Sequence, residues 1–162
     1  MTTRLLADAT ATDALGEALA RTRPPSAVVL LHGDLGAGKS SLARAMLRAL
    51  GVRGPIRSPT YTLVERYPLP EGGEAWHMDL YRIGDPGELE FLGLDGGEAV
   101  LWLVEWPQRG AGALPTADLE VWLDHAGNGR SARLEARSDA GSAWLRRLDG
   151  ALPAEGALAS HS

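Results

Sequence analysis

Residues 27–42 read AVVLLHGDLGAGKSSL, and Lys39 within this stretch is the only lysine of the chain, against fifteen arginines. The run from Ala27 to His32 is short and apolar enough for a strand buried on both faces. Residues 39–50, KSSLARAMLRAL, read as a strong helix closed by Gly51. Between them, Gly33 to Ser40 matches G-x-x-x-x-G-K-[ST] in full, with the preceding strand and following helix that this pattern requires. In such a turn, glycines let successive backbone N–H groups face phosphate oxygens, and the helix N-terminus adds a positive dipole end. The expected phosphate cradle comprises Gly33, Asp34, Leu35, Gly36, Ala37, Gly38, Lys39, Ser40 and Ser41. Lys39 is expected to reach the β and γ phosphates, and the Ser40 hydroxyl to ligate Mg²⁺. A cradle of this kind takes a slim ammonium where the planar guanidinium fork is too wide, which explains a lone lysine in an arginine-rich chain.

Outward from this stretch the pattern remains α/β. Residues 11–22 predict a helix ended by Pro24-Pro25. Strands are expected over 60–67, 74–82 and 99–106, and an alternating pair over 118–125 and 130–137 is joined by the turn AGNG. Asp85-Pro86 resembles a helix N-cap followed by proline at the first helical position, opening a short helix through GELEFLGL. A last helix is expected from about Ser142 to Leu148. The predicted fold is a P-loop-like α/β domain over 1–149, with a parallel core sheet, antiparallel flanking strands and helices on both faces. Residues 150–162, small, polar and Pro/Gly-bearing, are expected to be a disordered tail.

Two acids extend the candidate site. Glu105 ends the apolar strand VLWLVEW, where an acidic magnesium ligand sits beside a P-loop, although an acid reaching solvent at a strand end has the same pattern. Asp79, late in WHMDLYR, is a second candidate, for water positioning or a metal-bound water. His77 shares a face with Asp79 and reads as structural, not as a ligand. The SPTYTLVERY segment, residues 58–67, fits a loop that approaches a γ-phosphate as well as it fits an ordinary turn.

Composition narrows the function classes. One domain is expected at 162 residues, with no cysteine for disulfides, thiolate catalysis or thiolate metal sites. A net charge of −5 with scattered arginines provides no basic stripe for direct tRNA or DNA binding. No apolar run approaches membrane-spanning length and the N-terminus lacks a signal-peptide pattern, so the expected location is cytoplasmic.

Five segments in order, GDLGAGKSSL (33–42), SPTYTLVERY (58–67), HMDLYR (77–82), DPGELEFLGL (85–94) and LVEWPQRG (103–110), together resemble the bacterial TsaE (YjeE) family of tRNA threonylcarbamoyladenosine biosynthesis ATPases. The resemblance runs in register from about residue 10 to 149. It implies a small P-loop fold and a MgATP site. Lys39 matches the phosphate lysine, Ser40 the magnesium hydroxyl (more often threonine), Glu105 the acidic metal ligand and Asp79 the aspartate beside the active site. Thr60 falls in the switch-like loop, Trp106 follows the glutamate near the nucleotide, and Thr10 to Thr12 fall where the family's N-terminal segment approaches adenine. It further implies a monomer that serves the TsaB–TsaD complex, meeting tRNA only through that assembly, in modifying the adenosine next to the anticodon of ANN-reading tRNAs.

Two other readings compete. A small-molecule P-loop kinase needs an arginine-bearing lid, for which Arg82 and Arg109 are the sequence hints. A nucleotide-binding module without turnover has no need of both Glu105 and Asp79. A GTPase is disfavoured, because a chain whose only lysine is Lys39 has no N-K-x-D guanine motif.

Overall fold

The computed structural model describes residues 1–56, 63–85, 87–89 and 98–152. In chain order its elements are β1 (Thr2–Leu6), α1 (Ala9–Thr22), β2 (Ala27–His32), α2 (Lys39–Ala49), β3 (Val64–Pro68), β4 (Glu74–Asp79), β5 (Ala99–Glu105), a 3-10 turn (Pro107–Gly110), β6 (Leu119–Ala126), β7 (Gly129–Ala136) and α3 (Asp139–Ala151). The strands form one sheet in the order β1-β7-β6-β2-β5-β4-β3. β2 pairs in parallel with β5 and β6, and β4 in parallel with β5. The outer pairs β1–β7, β6–β7 and β3–β4 are antiparallel. The parallel centre with antiparallel flanks is the architecture that the apolar and alternating strands predict.

The period-two alternation of the central strands divides the core in two. Val29, Leu31, Leu101, Leu103, Leu119 and Val121 face the three α-helices, where they meet Leu15 and Leu19 of α1, Leu42 and Met46 of α2, and Trp144 and Leu148 of α3. Val28, Trp102, Val104, Trp76 and Met78 face the other way. Burial on both faces is why these strands read as unbroken apolar runs. Helices were expected on both faces; among the described residues, all three α-helices share one. The second face packs against Leu80, Ile83, Leu89 and Leu114, from segments without α-helix. Close approach of α1 to α2 depends on Gly16, where an added Cβ would lie 2.5 Å from the Cβ of Ala45.

The element boundaries differ from the sequence pattern where polar side chains set them. β1 was not predicted, because it is an edge strand in which only Leu6 is buried. α1 starts at Ala9 because the Asp8 carboxylate accepts the Ala11 N–H at 2.9 Å. α3 spans Asp139–Ala151, not 142–148, because Ser138 caps it through the Gly141 N–H. Gly141 reads as a helix breaker, yet an added Cβ there would strike the Asp118 carbonyl oxygen. β4 ends at Asp79, three residues short of the expected end, where the Asp79 side chain accepts the Tyr81 N–H at 3.0 Å. Asp85 accepts the Gly87 N–H at 2.9 Å, as the expected N-cap does. Most of the helix predicted after it, the first part of the 60–67 strand, Thr60 and residues 153–162 lie outside the described residues. Among the described residues no helix is long and apolar enough to cross a membrane.

Candidate functional site

The carboxyl ends of the parallel strands converge on the loop between β2 and α2. Register places Glu105 beside Leu31 of β2 and beside Asp79 of β4. These acids project from the helix-bearing face, because 101, 103 and 105 share one side of β5. The loop turns with Gly33 at φ +147° and Gly38 at φ +107°. Gly38 is the N-cap of α2 and brings no side chain to cap it, so the first N–H groups of the helix have no side-chain acceptor at that position. This local geometry favours an anion.

Lys39 is 4% exposed. Its Nζ donates to the Gly33 carbonyl and stands 4.0 Å from the centre of the Trp106 ring. Burial holds the Lys39 ammonium below its ordinary pKa, opposed by the charges of Glu105, Asp79 and Asp34. Trp106 follows β5 in the left-handed conformation, with φ 55° and ψ 50°. For a bulky residue this backbone stores about 1–3 kcal/mol of strain, and Tyr81 packs on the indole with ring centres 4.8 Å apart.

Glu105 is 3% exposed and His77 1%. Ser40 Oγ donates to Glu105 Oε2 at 2.9 Å, and His77 Nε2 lies 2.6 Å from the same oxygen. Burial raises the Asp79 pKa and the Glu105 charge adds to the rise, against the Tyr81 N–H and the positive charge of Lys39. Lys39, Ser40, Glu105, Asp79 and Trp106 are thus brought to one place.

The remaining expected residues separate. Asp34, Leu35 and Gly36 form the exposed tip of the loop, whereas Ala37 is buried. A cavity of about 940 Å³ beside the loop is lined by Thr12, Gly36, Gly38, Ser41, Asn128 and Arg130, among others. Thr12 is buried there; Thr10 is exposed on α1 and is not part of that lining. Asn128 and Arg130 were missed by sequence reasoning, which saw only the β6–β7 hairpin turn. Arg130 Nη2 donates to the Gly36 carbonyl at 3.1 Å, a link across 94 residues that no local pattern signals.

Comparison with known proteins gives the family. The family model described as "Threonylcarbamoyl adenosine biosynthesis protein TsaE" matches residues 6–133. The chain belongs to the TsaE family. It is thereby placed among the threonylcarbamoyl adenosine biosynthesis proteins, as the five sequence segments imply. Haemophilus influenzae TsaE, a tRNA threonylcarbamoyladenosine biosynthesis protein, is 45% identical over 116 residues, covering 70% of this chain and 73% of that one. Bacillus subtilis TsaE is 37% identical over 123 residues, covering 72% and 73%. The crystal structure of Bacillus subtilis YdiB superposes with a TM-score of 0.76 over 92% of this chain and 94% of its own, at 24% identity, and supports the fold.

Proposed function

We propose that this TsaE-family protein binds and hydrolyses MgATP at the Gly33–Ser40 loop and drives tRNA threonylcarbamoyladenosine formation together with TsaB–TsaD. The observation that carries the reading is the contact of Ser40 Oγ with the buried Glu105 carboxylate, at 2.9 Å, directly below an uncapped helix N-terminus. The donors fit magnesium, a hard cation that prefers oxygen and uses few protein ligands beside phosphate oxygens and water. Among the described residues no group of three or more His, Cys, Asp or Glu could hold a metal by itself, so the nucleotide would complete the coordination. Ser40 and Glu105 would hold the ion, which would neutralise charge on the β and γ phosphates.

The chain's own groups divide the remaining work. Backbone N–H groups at the start of α2 bind phosphate oxygens, and Lys39 leaves the Gly33 carbonyl to meet the developing charge on the transferred phosphoryl group. Asp79, fixed by the Tyr81 N–H, orients the attacking water. Thr12, Asn128 and Arg130 bound the cavity in which the nucleoside portion has room. Net charge of −5 and the absence of a basic stripe in the sequence favour a nucleotide state read by a partner protein over direct tRNA binding. The segment carrying Thr60 is the proposed reader.

The test is phosphate release by the purified protein with and without TsaB–TsaD, alongside modified-nucleoside formation. Slow release alone, clear stimulation by the complex, and modification that requires every subunit are expected. Thr60→Ala should reduce stimulation more than ATP affinity. Full ATPase without partners, or normal modification without this protein, would overturn the proposal.

A further inference from the structure

Among the described residues, His77 engages one of its two ring nitrogens. Its Nε2 lies 2.6 Å from Glu105 Oε2, and both side chains are almost completely buried. A carboxylate only accepts, so Nε2 carries the proton and donates. Nδ1 is buried and has no hydrogen-bond partner among the described residues. An unpaired buried polar atom costs about 1–3 kcal/mol, which an apolar side chain at this inward-facing position of β4 would avoid. Packing therefore does not explain a histidine here, whereas its single hydrogen bond does.

Among the described residues, two groups donate to Glu105, Ser40 Oγ and His77 Nε2, and both converge on Oε2. They come from different elements, α2 and β4, so the carboxylate is clamped between the phosphate loop and the adjacent strand, and its plane is fixed. Oε1 is outside these two bonds. We infer that His77 is a positioning residue that holds the Glu105 carboxylate in one orientation for a magnesium ion arriving with nucleotide. The inference rests on the proposed role of Glu105 as a metal ligand. It adds a ligand-orienting partner of the kind whose loss typically lowers metal affinity about 10–100-fold.

The experiment measures binding of a fluorescent, non-hydrolysable ATP analogue as magnesium is titrated, and again without magnesium, with the melting temperature of each variant as a fold control. His77→Gln places an amide nitrogen near the position of Nε2, whereas His77→Asn reaches only that of Nδ1; His77→Leu supplies no donor. The magnesium half-saturation point should rise about tenfold or more for His77→Leu and His77→Asn. For His77→Gln it should stay within about threefold of wild type, and binding without magnesium should change little in all three. If His77→Leu does not fold, the Gln–Asn pair still decides the matter. Equal half-saturation points for Gln and Asn would overturn the inference, as would a wild-type value for a folded His77→Leu. Glu105→Ala in the same titration separates the two claims. A shifted Glu105→Ala with unshifted His77 variants removes only the positioning role, whereas an unshifted Glu105→Ala removes the metal-ligand reading and this inference with it.

Discussion

Among the described residues, two histidine–glutamate pairs of similar length stand in opposite settings. On the face of the sheet away from the helices, His32 Nε2 meets Glu120 Oε1 at 2.8 Å, Arg137 donates to the other oxygen, and the Trp122 ring stacks on His32. The Glu120 and Arg137 side chains are 16% and 43% exposed, so water shares the work. Beside the Gly33–Ser40 loop, His77 and Glu105 are 1% and 3% exposed, and among the described residues the carboxylate accepts from Ser40 and His77. The surface pair is a solvated network of modest energetic value. The interior pair keeps a carboxylate from water and leaves a ring nitrogen unpaired, an arrangement stability alone would not retain. Same chemistry, different burial: one pair lies on a sheet face, the other is sealed beside the loop.

Glu105→Gln should lower partner-stimulated ATP turnover by about 100-fold, whereas Glu120→Gln should leave it within about twofold because Glu120 lies outside the site. Comparable losses in a phosphate-release assay would erase the distinction. Next in size is Lys39→Arg, where the wide guanidinium should cost nearly as much turnover as Lys39→Ala, about 10²–10³-fold, with little change in melting temperature. An active arginine variant would show that the loop does not discriminate between a point charge and a fork.

Stability against pH sharpens the contrast through opposite signs. Asp79, raised above its ordinary pKa of 3.8 by burial, binds its proton more tightly folded than unfolded. Stability should therefore fall as pH rises from about that value through the raised folded pKa. Asp79→Asn should raise the melting temperature of the nucleotide-free protein near neutral pH and change nothing well below pH 3.8. For Glu120, burial pushes the pKa up, but the Arg137 and His32 hydrogen bonds outweigh it and hold the group below its ordinary 4.5. That contribution is present above 4.5 and lost as pH falls through the folded pKa. Glu120→Gln should cost less than about 1 kcal/mol near neutral pH, with no cost remaining in strong acid. Thermal melts of both variants across pH would show whether the signs differ; identical trends would contradict the account.

What the sequence made legible follows from the range of the interactions involved. β2, the Gly33–Ser40 loop and α2 are encoded in neighbouring residues, so strand, glycine turn and helix were readable in one stretch. Glu105 and Asp79 were readable as acids at the ends of apolar strands, and parallel register brings them side by side. β1 was not, because one buried leucine in five edge residues gives no periodic signal. Arg130 reaches Gly36 across the sheet, and His77 gains its meaning only from Glu105, 28 residues away. The start of α3 was hidden by Gly141, whose lack of a side chain serves a close approach to Asp118 and does not end the helix. Neighbouring residues encode the loop; tertiary contacts supply its supports.

On the proposed reading, the Gly33–Ser40 loop, Lys39 and Glu105 together hold ATP with magnesium. Calorimetric titration of the purified protein with ATP, with and without magnesium, tests it most directly when run beside Lys39→Ala and Glu105→Ala. Wild type should bind ATP more tightly with magnesium than without it. Lys39→Ala should weaken binding in both conditions, and Glu105→Ala should abolish the difference between them. ATP binding that ignores magnesium in the wild type, or survives both substitutions unchanged, would contradict the account.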